Sequence, residues 1–258
     1  MITTTLRKTE PTFGDSPILL HGDYGVGKTL LASQFDKPYF LMCEPNDDYA
    51  NILYHDNCSN WNDCVEKIHS FLNDNHDFKT IVIDNMNNFF EFAVQAFIND
   101  FNANLKKNQA PIINLSDIGY AKGYDAVDNL IKIVLNPLIM NNKFNKIFIS
   151  HSEEREITTL TGEVFHTIIP LLPSKRARKY LFSLVPNIFY YHYFNNQRYI
   201  QITGNDFVMA KNRGLNHFLT TSGETIINVP AGKSPQEAYK YLLAAYNNKL
   251  KNSYKDIK

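Results

Sequence analysis

Short apolar runs alternate along the chain with longer stretches whose apolar residues recur at three- and four-residue steps. Ile18-Leu19-Leu20, Pro38-Tyr39-Phe40-Leu41-Met42-Cys43, Thr80-Ile81-Val82-Ile83 and Lys146-Ile147-Phe148-Ile149-Ser150 are each long enough for a buried strand and too short for a helix. Between them, Trp61, Cys64, Val65, Ile68, Phe71 and Leu72, and then Val127, Leu130, Ile131, Val134 and Leu135, mark one face of a helix. This rhythm predicts βαβ units closing into a mainly parallel sheet flanked by helices, an α/β fold. After Ser150 the pattern changes. Glu156 to Ile168 reads as a hairpin turning at Thr161-Gly162, and Asn187 to Phe194 pairs with Gln197 to Thr203 around Asn195-Asn196, so the sheet is expected to continue antiparallel. A helix over Ser234 to Leu250 closes the chain, with Ser234 as N-cap, Pro235 at N1 and Glu237 at N3.

Composition narrows the class. The 258 residues show no internal repeat and no linker, which predicts a single domain over 1–258 with a core at about 15–215 and a helical tail at about 233–258. Lysine plus arginine equals aspartate plus glutamate at 26 each, so any binding to a polyanion must come from a local patch rather than an overall field. The three cysteines, Cys43, Cys58 and Cys64, are odd in number and lack C-x-x-C spacing, the usage of a reducing compartment and of ordinary buried thiols. Met1 to Lys8 has no apolar core of a signal peptide, and no run approaches the roughly 18 apolar residues of a membrane span. A cytoplasmic protein without a membrane partner is the expectation.

The chemistry is concentrated after the first strand. Gly22-Asp23-Tyr24-Gly25-Val26-Gly27-Lys28-Thr29 reads G-x-x-x-x-G-K-T, the sequence form of a nucleoside-triphosphate cradle. Gly22, Gly25 and Gly27 let the backbone turn its N–H groups around a phosphate, Lys28 reaches the β- and γ-phosphates, and Thr29 offers its hydroxyl to a magnesium ion. Thr29 to Phe35 supplies the helix that follows, and the expected nucleotide-binding residues run from Gly22 to Leu30. Ile81-Val82-Ile83-Asp84 places a carboxylate at the C-terminal end of a buried strand, where ligands sit in α/β sheets, and makes Asp84 the second magnesium group. The ligand expected is ATP with Mg2+; no N-K-x-D motif for guanine occurs. Asn85 follows Asp84, and an amide cannot take a proton at neutral pH, so the base that activates water must stand elsewhere.

The phosphate loop, Glu44 at the end of Phe40-Leu41-Met42-Cys43-Glu44, Ile81 to Asp84, the strand ending Ile149-Ser150-His151, and Ala210-Lys211-Asn212-Arg213 together resemble the phage nucleotide-binding proteins with a RecA-like ATPase core. The resemblance covers about residues 15 to 215. Some members of that family act in phage recombination as ATP-dependent single-strand annealing proteins. The strand Tyr39 to Cys43, which ends at Glu44, is expected next to the phosphate-loop strand, and the resemblance implies Glu44 as the water-activating base and His151 as a polar sensor of the γ-phosphate. It implies that Lys211 and Arg213 act on the γ-phosphate of a neighbouring subunit, and hence a homo-oligomer in the host cytoplasm. On a strand, the Lys-x-Arg spacing would send both cations to one face.

Single-stranded DNA is the macromolecular partner so implied, with a single-strand DNA-binding protein as a further one. Lys175, Arg176, Arg178 and Lys179 gather four cations on about a turn and a half of helix, and Lys106 and Lys107 lie in the polar stretch Asn102 to Asp117, with Tyr120 and Tyr124 near enough for base stacking. Two other classes share a phosphate loop: a small-molecule kinase, and a nucleotide-gated assembly module without turnover.

Overall fold

The computed structural model describes residues 13–14, 16–44, 52–107, 109–158, 161–214 and 216–252. In chain order the elements are β1 (Ile18–Gly22), α1 (Lys28–Ala32), β2 (Pro38–Met42), β3 (His55–Asn57), α2 (Trp61–Asn73), β4 (Thr80–Asp84), α3 (Met86–Ala103), α4 (Lys122–Met140), β5 (Asn145–Thr158), β6 (Val164–Pro170), α5 (Lys175–Leu184), β7 (Asn187–Phe194), β8 (Gln197–Gln201), β9 (Asn228–Pro230) and α6 (Pro235–Tyr246). Met1 to Lys8 and the last residues of the expected tail, 253–258, lie outside the described residues.

The strands join in the order β3-β2-β4-β5-β1-β7-β8-β9, with β6 paired to the distal half of β5. From β3 to β7 every neighbouring pair is parallel, and β7-β8 and β8-β9 are antiparallel. The expected architecture, a mainly parallel sheet flanked by helices with an antiparallel C-terminal extension, is the one the chain adopts. Because side chains alternate along a strand, neighbours in sequence serve opposite layers. Leu19, Leu41, Ile81, Ile83 and Phe148 pack against α2, α3, α4 and α5, whereas Ile18, Leu20, Phe40, Val82, Ile147 and Ile149 pack against α1 and α6. All three cysteines are buried free thiols in the first of these layers, with the sulfurs of Cys43 and Cys64 3.8 Å apart.

Five details depart from the sequence expectation. β2 does not lie beside β1; β4 and β5 stand between them, so Glu44 reaches the site across two strands. β7 is parallel to β1, because α5 forms a crossover that brings the chain back in the same direction, and the antiparallel pairing begins only with β8. β5 does not end at His151 but runs on to Thr158, where its second half leaves the main sheet and pairs with β6 from Ser152–Pro170 to Thr158–Val164. α1 stops at Ala32 rather than Phe35, as Gln34 and Phe35 N–H groups turn to the carbonyls of Leu31 and Ala32 and tighten the last turn. The last helix keeps its expected start, the Ser234 hydroxyl accepting from Glu237 N–H at 3.2 Å with Pro235 in the first turn, but ends at Tyr246, shortly before Asn248 takes a left-handed φ of 59°.

The phosphate-loop strand is held by a close backbone approach. A Cβ on Gly22 would lie 2.0 Å from the carbonyl oxygen of Tyr191 on β7. Gly22→Ala is therefore expected to push β1 from β7 at a cost of about 1–3 kcal/mol, lowering the melting midpoint by roughly 2–12 °C. A melting curve unchanged by the substitution would contradict this packing.

Candidate nucleotide site

The site sits at the C-terminal ends of β1 and β4, beside His151 midway along β5, and beyond the end of β2. The chain leaves β1 at Gly22 and turns through Gly25 and Gly27, whose φ values of 73° and 104° are left-handed and suit glycine. Gly27 is the N-cap of α1 and its carbonyl accepts from Leu31 N–H at 2.9 Å. Val26 is fully buried beneath the loop while Asp23, Tyr24, Gly25 and Leu30 are exposed at its surface. Lys28 is buried, and its ammonium donates to the carbonyls of Gly22 (2.9 Å) and Asp23 (2.8 Å) and to His151 Nδ1 (3.4 Å). Burial lowers its pKa to about 8 against the opposing charges of Asp84, Asp23 and Glu44.

The remaining polar groups converge from three strands. Thr29 Oγ1 donates to Asp84 Oδ2 at 2.6 Å, so the two residues expected to serve magnesium already meet. Asn85 caps α3 by accepting from Asn88 N–H at 3.0 Å, and its Nδ2 donates to Glu44 Oε2 at 2.7 Å. The Asn88 amide in turn donates to the Cys43 carbonyl at 2.9 Å and so holds the chain just before Glu44. His151 Nε2 lies 3.3 Å from the same Glu44 oxygen. Because the Lys28 ammonium can only donate, Nδ1 of His151 accepts and Nε2–H donates to Glu44, which fixes the neutral tautomer. Burial lowers the His151 pKa and the Lys28 charge adds to that, while Glu44 opposes it. The Tyr24 ring stacks on this imidazole, centroids 3.7 Å apart at 19°.

The other predicted residues divide. Lys211 forms an isolated antiparallel bridge with Ile188 of β7 rather than part of a strand, and its ammonium donates to the Phe182 carbonyl. Burial lowers its pKa, with Arg213 contributing. Lys211 is thus tied to its own chain by the Phe182 contact, while Arg213 is exposed. On α5, Arg176 pairs with Asp125 and Asp128, and Arg178 with Glu153 at 2.8 Å and the Leu172 carbonyl at 3.1 Å. Lys175 and Lys179 remain exposed, as do Lys106, Lys107 and Tyr120, whereas Tyr124 packs against the core.

Two contributors escape a linear reading. Asn85 is visible in sequence only as the lack of an acid, yet it orients the acid that is present. His21 is wholly buried one residue before the loop; its Nε2 donates to the Met209 carbonyl (2.8 Å), which leaves Nδ1 to accept from the Ser152 hydroxyl (2.9 Å). Burial, opposed by the Met209 bond, lowers its pKa to about 3, so it stays neutral. His21 thereby ties the loop strand to the segment before Lys211 and to the residue after His151.

The residues present fit a magnesium nucleotide. Loop N–H groups and Lys28 would hold the phosphates, and Thr29 and Asp84 the ion, consistent with a cation that takes one or two protein groups plus phosphate oxygens. When bound, magnesium neutralises charge between the terminal phosphates. Among the described residues there is no group of three His, Cys, Asp or Glu side chains able to hold a metal alone, and no helix long and apolar enough to cross a membrane.

A glycine loop between a buried strand and a helix, an inward lysine, and a Thr–Asp pair at the C-terminal ends of parallel strands define a P-loop nucleotide-binding protein. The chain belongs to the AAA domain family, whose model matches residues 16–214, and is thus an AAA-type P-loop ATPase by family. No curated protein matches the sequence. Among solved structures it is similar to a KaiC-like protein from the hyperthermophilic archaeon Pyrococcus horikoshii OT3, at 13% identity over 86% of this chain and 88% of that one with a TM-score of 0.47. It is also similar to the RadB recombinase, at 10% identity over 73% and 80% with a TM-score of 0.41.

Proposed function

We propose that the protein is a magnesium-dependent, RecA-like ATPase that hydrolyses ATP with Glu44 as base and acts on single-stranded DNA in phage recombination or repair, by annealing or strand pairing. The observation that carries the hydrolytic step is the placement of Glu44 Oε2 within hydrogen-bonding distance of both Asn85 and His151, the latter touching Lys28. Asn85 and His151 both donate to the carboxylate, which orients it while it remains ionised and able to accept a proton from water. His151, bonded to Lys28 on one side and Glu44 on the other, is suited to register the terminal phosphate and to pass its loss into β5. The phage setting and the DNA substrate rest on the motif resemblance, supported by the exposed lysines. ATP turnover measured with and without single-stranded DNA tests the whole: stimulation supports it, transfer to a metabolite marks a kinase, and binding without turnover marks an assembly module.

The DNA surface has its own test. With Arg176 and Arg178 engaged by carboxylates, the four others of the six predicted cations, Lys106, Lys107, Lys175 and Lys179, are exposed and can meet phosphates. Four such contacts give a slope of about −3 in log affinity against log salt for a single strand. Lys175→Ala and Lys179→Ala are each expected to reduce that slope by about 0.7, and Arg176→Ala to change it little. A salt-independent affinity would remove the phosphate contacts from the proposal.

A further inference from the structure

One cation beside the phosphate loop has no role in the scheme above. Arg198 lies half-buried on β8, opposite Tyr193 of β7 in register. Its backbone carbonyl accepts from Ala231 N–H at 2.8 Å, which fixes the residue between β7 and the chain after β9. Its guanidinium points back over β7 to the loop: Nη1 is 3.4 Å, and the Tyr191 hydroxyl oxygen 3.8 Å, from the position a Cβ would take on Gly27. Among the described residues its five N–H donors make one hydrogen bond, a long one from Nη2 to the Gly232 carbonyl at 3.4 Å, and no carboxylate there lies within 4.0 Å of it. A half-buried guanidinium with unspent donors beside an anion cradle is matched to a phosphate oxygen, whose charge and geometry suit the planar fork.

The two flanks of the loop differ. Toward β5 and β4 stand His151, Glu44 and Asp84, the groups suited to the terminal phosphate, the water and the ion. Toward β7 and β8 stand Tyr191 and Arg198. A phosphate chain lying across the loop with its γ end at Glu44 has its α end on the Arg198 side.

We infer that Arg198 is a nucleotide-binding residue, acting within its own subunit on the α-phosphate end of a nucleoside di- or triphosphate. The assignment rests on the nucleotide-binding reading of the loop, not on hydrolysis or on DNA. It makes Arg198 the counterpart of Arg213: one cation from the same chain secures the end common to ADP and ATP, the other is left for the γ end.

Calorimetric titration of the full chain with Mg-ADP and Mg-ATP tests it, using Arg198→Met, which keeps the apolar stem, and Arg198→Lys, which keeps the charge. Arg198→Met is expected to weaken both nucleotides by the same factor, about tenfold to a hundredfold, with part of the affinity recovered in Arg198→Lys. Wild-type affinity in Arg198→Met would overturn the assignment, and so would a loss confined to ATP, which moves the contact to the γ-phosphate. Should Arg198→Met melt early, Arg198→Lys decides, since a folded lysine variant that binds ADP as tightly as wild type and no weaker at high salt leaves no place for the planar fork. A wild-type chain that binds ADP but does not turn over ATP would overturn the hydrolytic proposal and leave this one standing; a chain that binds neither overturns both.

Discussion

Replacing Glu44 with glutamine is expected to slow ATP turnover by about 10²- to 10⁴-fold, the range for loss of a general base, while Mg-ATP affinity stays near wild type. The substitution is close to isosteric, and the glutamine carbonyl can still accept from Asn85 Nδ2 and His151 Nε2, the two donors now 2.7 and 3.3 Å from the carboxylate. What disappears is basicity. The Thr29–Asp84 pair and the Lys28 contacts with the loop do not pass through Glu44, so the phosphate and ion groups are left in place. Asn85→Ala should fall between the two, since it keeps the base but removes its nearer tether and the cap of α3. Single-turnover hydrolysis alongside calorimetry separates the effects. Turnover at the wild-type rate in Glu44→Gln would assign water activation to another group.

Replacing Arg213 with alanine is expected to cost about 10³- to 10⁵-fold in turnover, the range for an arginine supplied to a γ-phosphate by a neighbouring subunit. Arg213 is exposed and lies outside the cluster of Lys28, Glu44, Asp84 and His151, so truncation should leave folding and nucleotide binding intact. Mixing Arg213→Ala with Lys28→Ala is the decisive measurement: the first lends a sound phosphate loop, the second a sound arginine, and mixed assemblies should regain activity. No recovery on mixing would end the in-trans role. Lys211→Ala should behave differently. Its ammonium is bonded to the Phe182 carbonyl of its own chain, so the loss should appear in the melting midpoint before it appears in turnover.

What the sequence revealed follows from how local each signal is. The glycine spacing, the apolar run before it and the Asp84 strand end are read within a few residues, and each is found in place. Asn195 and Asn196 likewise marked a two-residue turn, and both take left-handed φ values, 47° and 59°. Strand order is not local: four buried runs of similar composition carry no mark of which will pair, so the insertion of β4 and β5 between β1 and β2 was illegible. The direction of β7 depended on whether the preceding segment crosses over or doubles back, and the cationic face of α5 gave no hint of a crossover. Arg176 and Arg178 read as free cations because Asp125, Asp128 and Glu153, their partners, lie 25 to 51 residues away. Arg198 stands in ordinary strand alternation, and only the folded chain brings it to Gly27.

The continuity of β5 carries a mechanical consequence. Thr158 lies seven residue steps beyond His151 on one unbroken strand, an arm of about 24 Å at roughly 3.4 Å per residue. A rotation of about 5° at the imidazole end would sweep the far end of such an arm by about 2 Å, so a sub-ångström adjustment beside a phosphate arrives at the rim of the molecule as a displacement the size of an atom.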